Sequence, residues 1–135
     1  MNNTFTILLI DDNDIDLMIG ERLISVVNPD VKVNGFTRGQ RALDWLKDLG
    51  SDCLHQKVVL FIDIYMNEMN GFEVAHRATQ LIESFGCEAE CYLLSATIDD
   101  SDLRRIKNDP KIKGFIGKPI TQDVLNNIVL TSKSV

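Results

Sequence analysis

The chain is poor in the features that narrow a function at once. Its 135 residues include only three cysteines, three prolines and one tryptophan. Cys53, Cys87 and Cys91 are odd in number and lack both metal-ligand spacing and a supporting histidine cluster, so they read as reduced thiols, not as a zinc site or a disulfide framework. No apolar run approaches the roughly 20 residues of a membrane span, and the start MNNTFTILLIDD has neither a basic n-region nor a cleavage site. The expectation is a cytoplasmic protein with no membrane partner. Positive charge is scarce too. Against 20 acidic side chains stand 14 basic ones, for a net charge of -6, which argues against nucleic acid as a partner. There is no internal repeat and no low-complexity linker.

What is present is alternation. The length and the 44% hydrophobic content fit one soluble domain, 1–135, with a substantial core. Apolar, β-rich runs at Phe5–Ile10, Val31–Phe36, Val58–Ile62, Cys91–Leu94 and Gly114–Ile116 predict five strands. Between them lie segments with helical spacing, such as Ala42, Leu46 and Leu49, or Val74, Ala78, Leu81 and Phe85. A shorter, weakly apolar helix is predicted over Asp99–Asn108. The last, Thr121–Leu130, opens on a capping threonine and puts Val124, Leu125, Ile128 and Val129 on one face. Asn28-Pro29-Asp30, Gly50-Ser51-Asp52, Gly86 and Asn108-Asp109-Pro110 supply helix stops. Strands and helices in this order predict a doubly wound α/β domain, whose ligands bind beyond the carboxyl ends of the strands.

Five polar residues follow the apolar runs: Asp11, Asp12, Asp63, Ser95 and Lys118. A parallel sheet would bring all of them to one edge. Three acids crowded together repel strongly unless a cation and a lysine offset their charge, so such a cleft suits a divalent metal and a phosphoryl group. Singly, each has a plainer explanation. An Asp-Asp pair before a helix often only caps it, and that reading is adopted for Asp14 and Asp16. A lone Ser95 reads as structural and a lone Lys118 as a solvated charge.

The segments LLIDDND, VVLFIDIYMNEMNGFE, YLLSAT and GFIGKPI, in that order, resemble the receiver domains of two-component response regulators over nearly the whole chain. The resemblance implies a flavodoxin-like (βα)5 sandwich with a parallel sheet in the order 2-1-3-4-5. It makes Asp63, followed by the turn Met69-Asn70-Gly71, the phosphoacceptor. Mg²⁺, or Mn²⁺ in its place, would be held by Asp12 directly, by Asp11 through water, by Asp63 and by the Tyr65 carbonyl. Lys118 would pair with Asp63 before phosphorylation and with a phosphoryl oxygen afterwards, aimed by a cis bond to Pro119. Ser95 would donate its hydroxyl to the phosphoryl group, and Phe115 would turn inward in response. Tyr65 and Thr97 would border the phosphoryl group and tune its hydrolysis. Asn67 departs from the family, which commonly has a stiffening proline there, and a more mobile loop is expected.

Such a protein would accept its phosphoryl group from a sensor histidine kinase or a histidine phosphotransfer protein, in a Mg-dependent reaction. It would pass the signal to an unknown downstream protein through the fourth helix, fifth strand and fifth helix. It would be no enzyme on outside substrates, undergoing only self-phosphorylation and autodephosphorylation, and no output domain is expected. Two rival readings share parts of the pattern. Haloacid dehalogenase-like phosphatases use a D-x-D that Asp12-Asn13-Asp14 matches superficially, but only the lone Asp123 follows Lys118 here. A flavodoxin-like binding module would need a hydroxyl- and glycine-rich loop where this chain has two aspartates. His55 and His76 offer no recognisable partner, Trp45 is expected to flank the core, and Met66 and Met69 to pack in the acceptor loop.

Overall fold

The fold is taken from a computed structural model, which describes residues 5–53 and 56–133. His55 and the chain termini lie outside them. Five strands, β1 (Phe5–Ile10), β2 (Val33–Phe36), β3 (Lys57–Asp63), β4 (Glu88–Ser95) and β5 (Gly114–Gly117), alternate with five helices. These are α1 (Asp14–Val27), α2 (Gly39–Leu49), α3 (Gly71–Ser84), α4 (Asp100–Lys107) and α5 (Gln122–Lys133). All strand pairs are parallel and the spatial order is β2-β1-β3-β4-β5.

Side chains alternate across each strand, which divides the core into two layers. Leu8, Ile10, Val58, Leu60, Ile62, Cys91 and Leu93 pack with α2 and α3, and Ile106 of α4 joins them. Ile7, Leu9, Val59, Phe61, Tyr92 and Leu94 form the other layer with Leu17 and Ile24 of α1 and Leu125 of α5. Near-continuous apolar strands are what a sheet covered on both faces demands. Trp45 flanks the first layer beside Phe36, and Met66 and Met69 pack against its edge.

Local chemistry sets the helix starts. Asn13 caps α1 by accepting from the Ile15 and Asp16 N–H groups, Asn70 caps α3 through Glu73, and Asp99 caps α4 through Asp102. Thr121 accepts from the Val124 N–H at the head of α5. Strand limits differ from expectation for identifiable reasons. The Val31 N–H is taken by the Asn28 carbonyl, so β2 starts only at Val33. Glu88 bonds to the Gln56 carbonyl, so β4 starts three residues before Cys91. A one-turn 3-10 helix at Gly50–Cys53 was not foreseen.

Two side-chain expectations need correction. Cys87 is disulfide-bonded, whereas Cys91 is free and buried as expected. The turn at Gly86 and the bond from Glu88 to Gln56 bring the α3–β4 connection against the chain entering β3, a proximity that cysteine spacing does not reveal. His76 has a partner after all: its Nε2 lies 2.5 Å from Asp109 Oδ2, in the turn between α4 and β5.

Gly71 opens α3 directly under the end of β3. A Cβ there would stand 2.5 Å from the Asp63 carbonyl oxygen and 2.8 Å from the Ile64 Cα. Backbone on the far side cannot yield as a side-chain tip could. Gly71→Ala is therefore expected to lower stability in urea unfolding by about 1–3 kcal/mol, the usual cost of forcing atoms into a packed site.

Candidate functional site

The carboxyl edge of the sheet gathers the residues singled out above. Asp11 follows β1 and is buried, its N–H donating to the Phe36 carbonyl at 3.0 Å. Asp63 ends β3, 7% exposed, and Ser95 ends β4, 5% exposed. Lys118 follows β5 and is fastened to β4 by its N–H on the Ser95 carbonyl at 2.9 Å. The Lys118–Pro119 bond is cis.

Carboxylate oxygens of Asp11, Asp12 and Asp63 all lie within 4.8 Å of one another. Burial, opposed by the Lys118 charge but reinforced by Asp11 and Asp12, pushes the Asp63 carboxyl up to about 6. The chemistry of the donor set, three hard oxygens whose mutual repulsion a cation would relieve, fits a divalent metal of the magnesium type. For Lys118, burial works to lower the pKa, but the hydrogen bond and charge of Asp11, with Asp63 and Asp16 adding to them, hold it above the ordinary lysine value.

The Lys118 ammonium forms the ion pair with Asp63 expected of it, but is shared with two nearer carboxylates. Its nearest carboxylate is Asp11 Oδ2 at 2.5 Å, then Asp16 Oδ2 at 3.3 Å, and Asp63 Oδ2 is only third at 3.6 Å. Asp16, which local sequence assigns only to the capping and charge of the helix start, is one of the two nearer ones. In the first turn of α1 it meets Lys118, which follows β5, a relation between distant segments that no local spacing announces.

The remaining residues are placed as follows. The Ser95 Oγ accepts from the Thr97 N–H at 3.3 Å, and Thr97 itself is exposed. Phe115, opposite Leu93 in the sheet, is half-buried against the α2–α3 layer. Tyr65 is 48% exposed and its hydroxyl donates to Asp102 of α4 at 2.5 Å. That hydrogen bond, before burial, pushes the phenol up to about 12. The Asn67 N–H donates to Asp12 Oδ2 at 3.3 Å, so the loop expected to be mobile has a tie across the cleft.

With this geometry in view, the comparisons with known proteins are decisive. The family profile described as response regulator receiver domain matches residues 7–130. The chain belongs to the response regulator receiver family. A response regulator receiver protein from Dyadobacter fermentans is 26% identical, with 96% of this chain and 98% of that one covered at a TM-score of 0.80. A two-component response regulator from Cytophaga hutchinsonii is 25% identical, covers 97% and 98%, and has a TM-score of 0.81. One from Legionella pneumophila, at 23% identity, covers 98% and 100% with a TM-score of 0.79 and attests the fold. Comparison with curated proteins returned no significant match. Receiver domains bind Mg²⁺ at an acidic pocket and work with histidine kinases or phosphotransfer proteins. Family membership leaves the phosphatase and flavin-binding readings without support. Among the described residues no helix is long and apolar enough to cross a membrane.

The Asp63 shift has a thermodynamic consequence. A carboxyl raised from 3.8 to about 6 binds its proton more tightly in the native state than in the unfolded chain. Below about pH 4 both states are protonated and nothing is lost; as pH climbs toward 6 the unfolded chain ionises first and native stability falls. In chelator, Asp63→Asn should thus be more stable than the parent at neutral pH by about 1–3 kcal/mol, with the gain shrinking toward zero near pH 3. Denaturant unfolding at several pH values checks this.

Proposed function

We propose that this receiver accepts a phosphoryl group on Asp63 from a histidine kinase or a histidine phosphotransfer protein, loses it by hydrolysis, and signals through phosphorylation-dependent protein contacts. The observation that carries the reading is Asp63 itself, a buried strand-end carboxylate crowded by Asp11 and Asp12, with the Lys118 ammonium 3.6 Å away. In the transfer, an Asp63 oxygen attacks phosphorus, and the donor's P–N bond, or the P–O bond of a small acyl phosphate, breaks with its electron pair leaving on the donor.

Each neighbour has a task in the transfer or in the response to it. The Lys118 ammonium has three N–H donors and can hand one to a phosphoryl oxygen while keeping a carboxylate. Ser95 accepts a backbone N–H through its oxygen, which leaves its own proton to donate to the incoming group. Asp11, Asp12, Asp63 and the Tyr65 carbonyl would hold Mg²⁺, for which Mn²⁺ can stand in. When bound, the ion offsets the charge of the acids and of the phosphoryl oxygens. Thr97 and Tyr65 flank the approach to the group, and the bond to Asp102 steadies the Tyr65 ring as a screen against water. Phe115, half-buried at the β5 edge, would turn inward as Ser95 shifts and alter the face formed by α4, β5 and α5, through which an unknown downstream protein is engaged.

Intact-mass analysis after exposure to acetyl phosphate tests the reading. One phosphoryl adduct is expected with magnesium, and none with chelator or in Asp63→Asn; an adduct of equal yield in Asp63→Asn would overturn the assignment. The screening role is tested separately by the decay of the adduct. Tyr65→Asn should shorten its lifetime, and an unchanged decay rate would remove Tyr65 from the mechanism.

A further inference from the structure

Asp16 is the carboxylate near Lys118 that the proposed reaction leaves without a task. It closes a ring of four hydrogen bonds. The Asn13 N–H donates to Asp11 Oδ1 at 3.0 Å, and the Asp16 N–H donates to Asn13 Oδ1 at 3.0 Å. The Lys118 ammonium then donates to Asp16 Oδ2 at 3.3 Å and to Asp11 Oδ2 at 2.5 Å. The same Asn13 oxygen that caps α1 thereby fixes where Asp16 stands, so its approach to Lys118 is built into the helix start. The ring holds the ammonium toward the α1 side of the cleft, nearer to Asp11 and Asp16 than to Asp63 at 3.6 Å. Asp11, Asp16 and Lys118 also line a cavity of about 270 Å³ whose other walls include Leu9, Leu94 and Ile120. That apolar lining keeps water from fully screening the contact.

We propose that Asp16 is a positioning residue that restrains Lys118 on the α1 side and so slows phosphoryl capture and weakens phosphoryl retention. The proposal rests on Asp63 being the acceptor. Asp11 and Asp16 compete with a phosphoryl oxygen for the same ammonium, but they are not equivalent. A cation in the acidic pocket would draw on Asp11 and loosen its hold on the lysine, whereas Asp16 lies outside the three-acid cluster and would go on facing Lys118. Asp16 is then the group that the phosphoryl oxygens must outbid. At 47% side-chain exposure its grip is partial, so the restraint moderates the reaction without blocking it.

The test compares Asp16→Asn, Asp16→Glu and Asp14→Asn in acetyl phosphate phosphorylation and in beryllofluoride binding, both with magnesium. Asp14 shares the first turn and the charge but makes no ion pair with Lys118 among the described residues. Asp16→Asn is expected to be phosphorylated about two- to fivefold faster and to bind beryllofluoride tighter by a similar factor, the range a part-exposed ion pair supports. Asp16→Glu should stay near the parent, and Asp14→Asn should not reproduce the gain. A rate for Asp16→Asn equal to or below the parent's overturns the proposal, as does an equal gain in Asp14→Asn, which would assign the effect to helix charge. A ¹⁵N-lysine spectrum needs no phosphoryl donor and keeps the two readings separable. The Lys118 ammonium resonance should move in Asp16→Asn alone, and its failure to move overturns the restraint even where Asp63 is the acceptor. A parent protein that takes no phosphoryl group while that resonance moves overturns the acceptor reading instead.

Discussion

One ammonium stands against several carboxylates at the edge of a parallel sheet, and the functional end of the molecule is arranged around that imbalance. Asp11, Asp16 and Asp63 all reach Lys118 within 4.0 Å, and Asp12 adds a further negative charge to the cluster. A single lysine cannot satisfy so many acids, so the cleft holds an unmet demand for positive charge. Burial first, and that demand second, make the Asp63 carboxyl cling to its proton, and the same demand is what a hard divalent ion fits. The rest of the fold serves to keep the acids together. β1, β3 and β4, which carry the acids and Ser95, are buried on both faces, and the Lys118 loop after the edge strand β5 is pinned to β4 by a backbone bond.

Much of this was legible in the sequence. Parallel strands buried on both sides read as unbroken apolar runs, and their carboxyl ends are marked by the first polar residue after each run. Asp11, Asp63, Ser95 and Lys118 therefore announced their meeting place. The capping role of Thr121 was legible because it depends on residues close in the chain, whereas the cis bond, which Pro119 only permits, was expected from the family resemblance.

What escaped was tertiary in origin. Asp16 looked like any acid in a first helical turn, because its contact is with a residue 102 positions away. The same holds for the tie between His76 and Asp109, across 33 positions, and for Tyr65 reaching Asp102, across 37. At the opposite end of the sheet Lys57 and Lys113 converge on the buried Glu90, which Tyr92 also meets from the same strand, and it is the packing of neighbouring strands that brings the two lysines there. Patterns of period 2 and 3.6 report which side of an element faces inward. They do not report which element lies opposite.

The substitution of asparagine for a commoner proline at position 67 changes what keeps the turn after β3 in shape. Proline stiffens a chain by its ring and has no N–H to offer; Asn67 instead lends its N–H to Asp12 Oδ2. The turn is thus moored to one of the very oxygens that anything entering the cleft would seek. A single carboxylate thereby serves both the charge of the cleft and the shape of its rim.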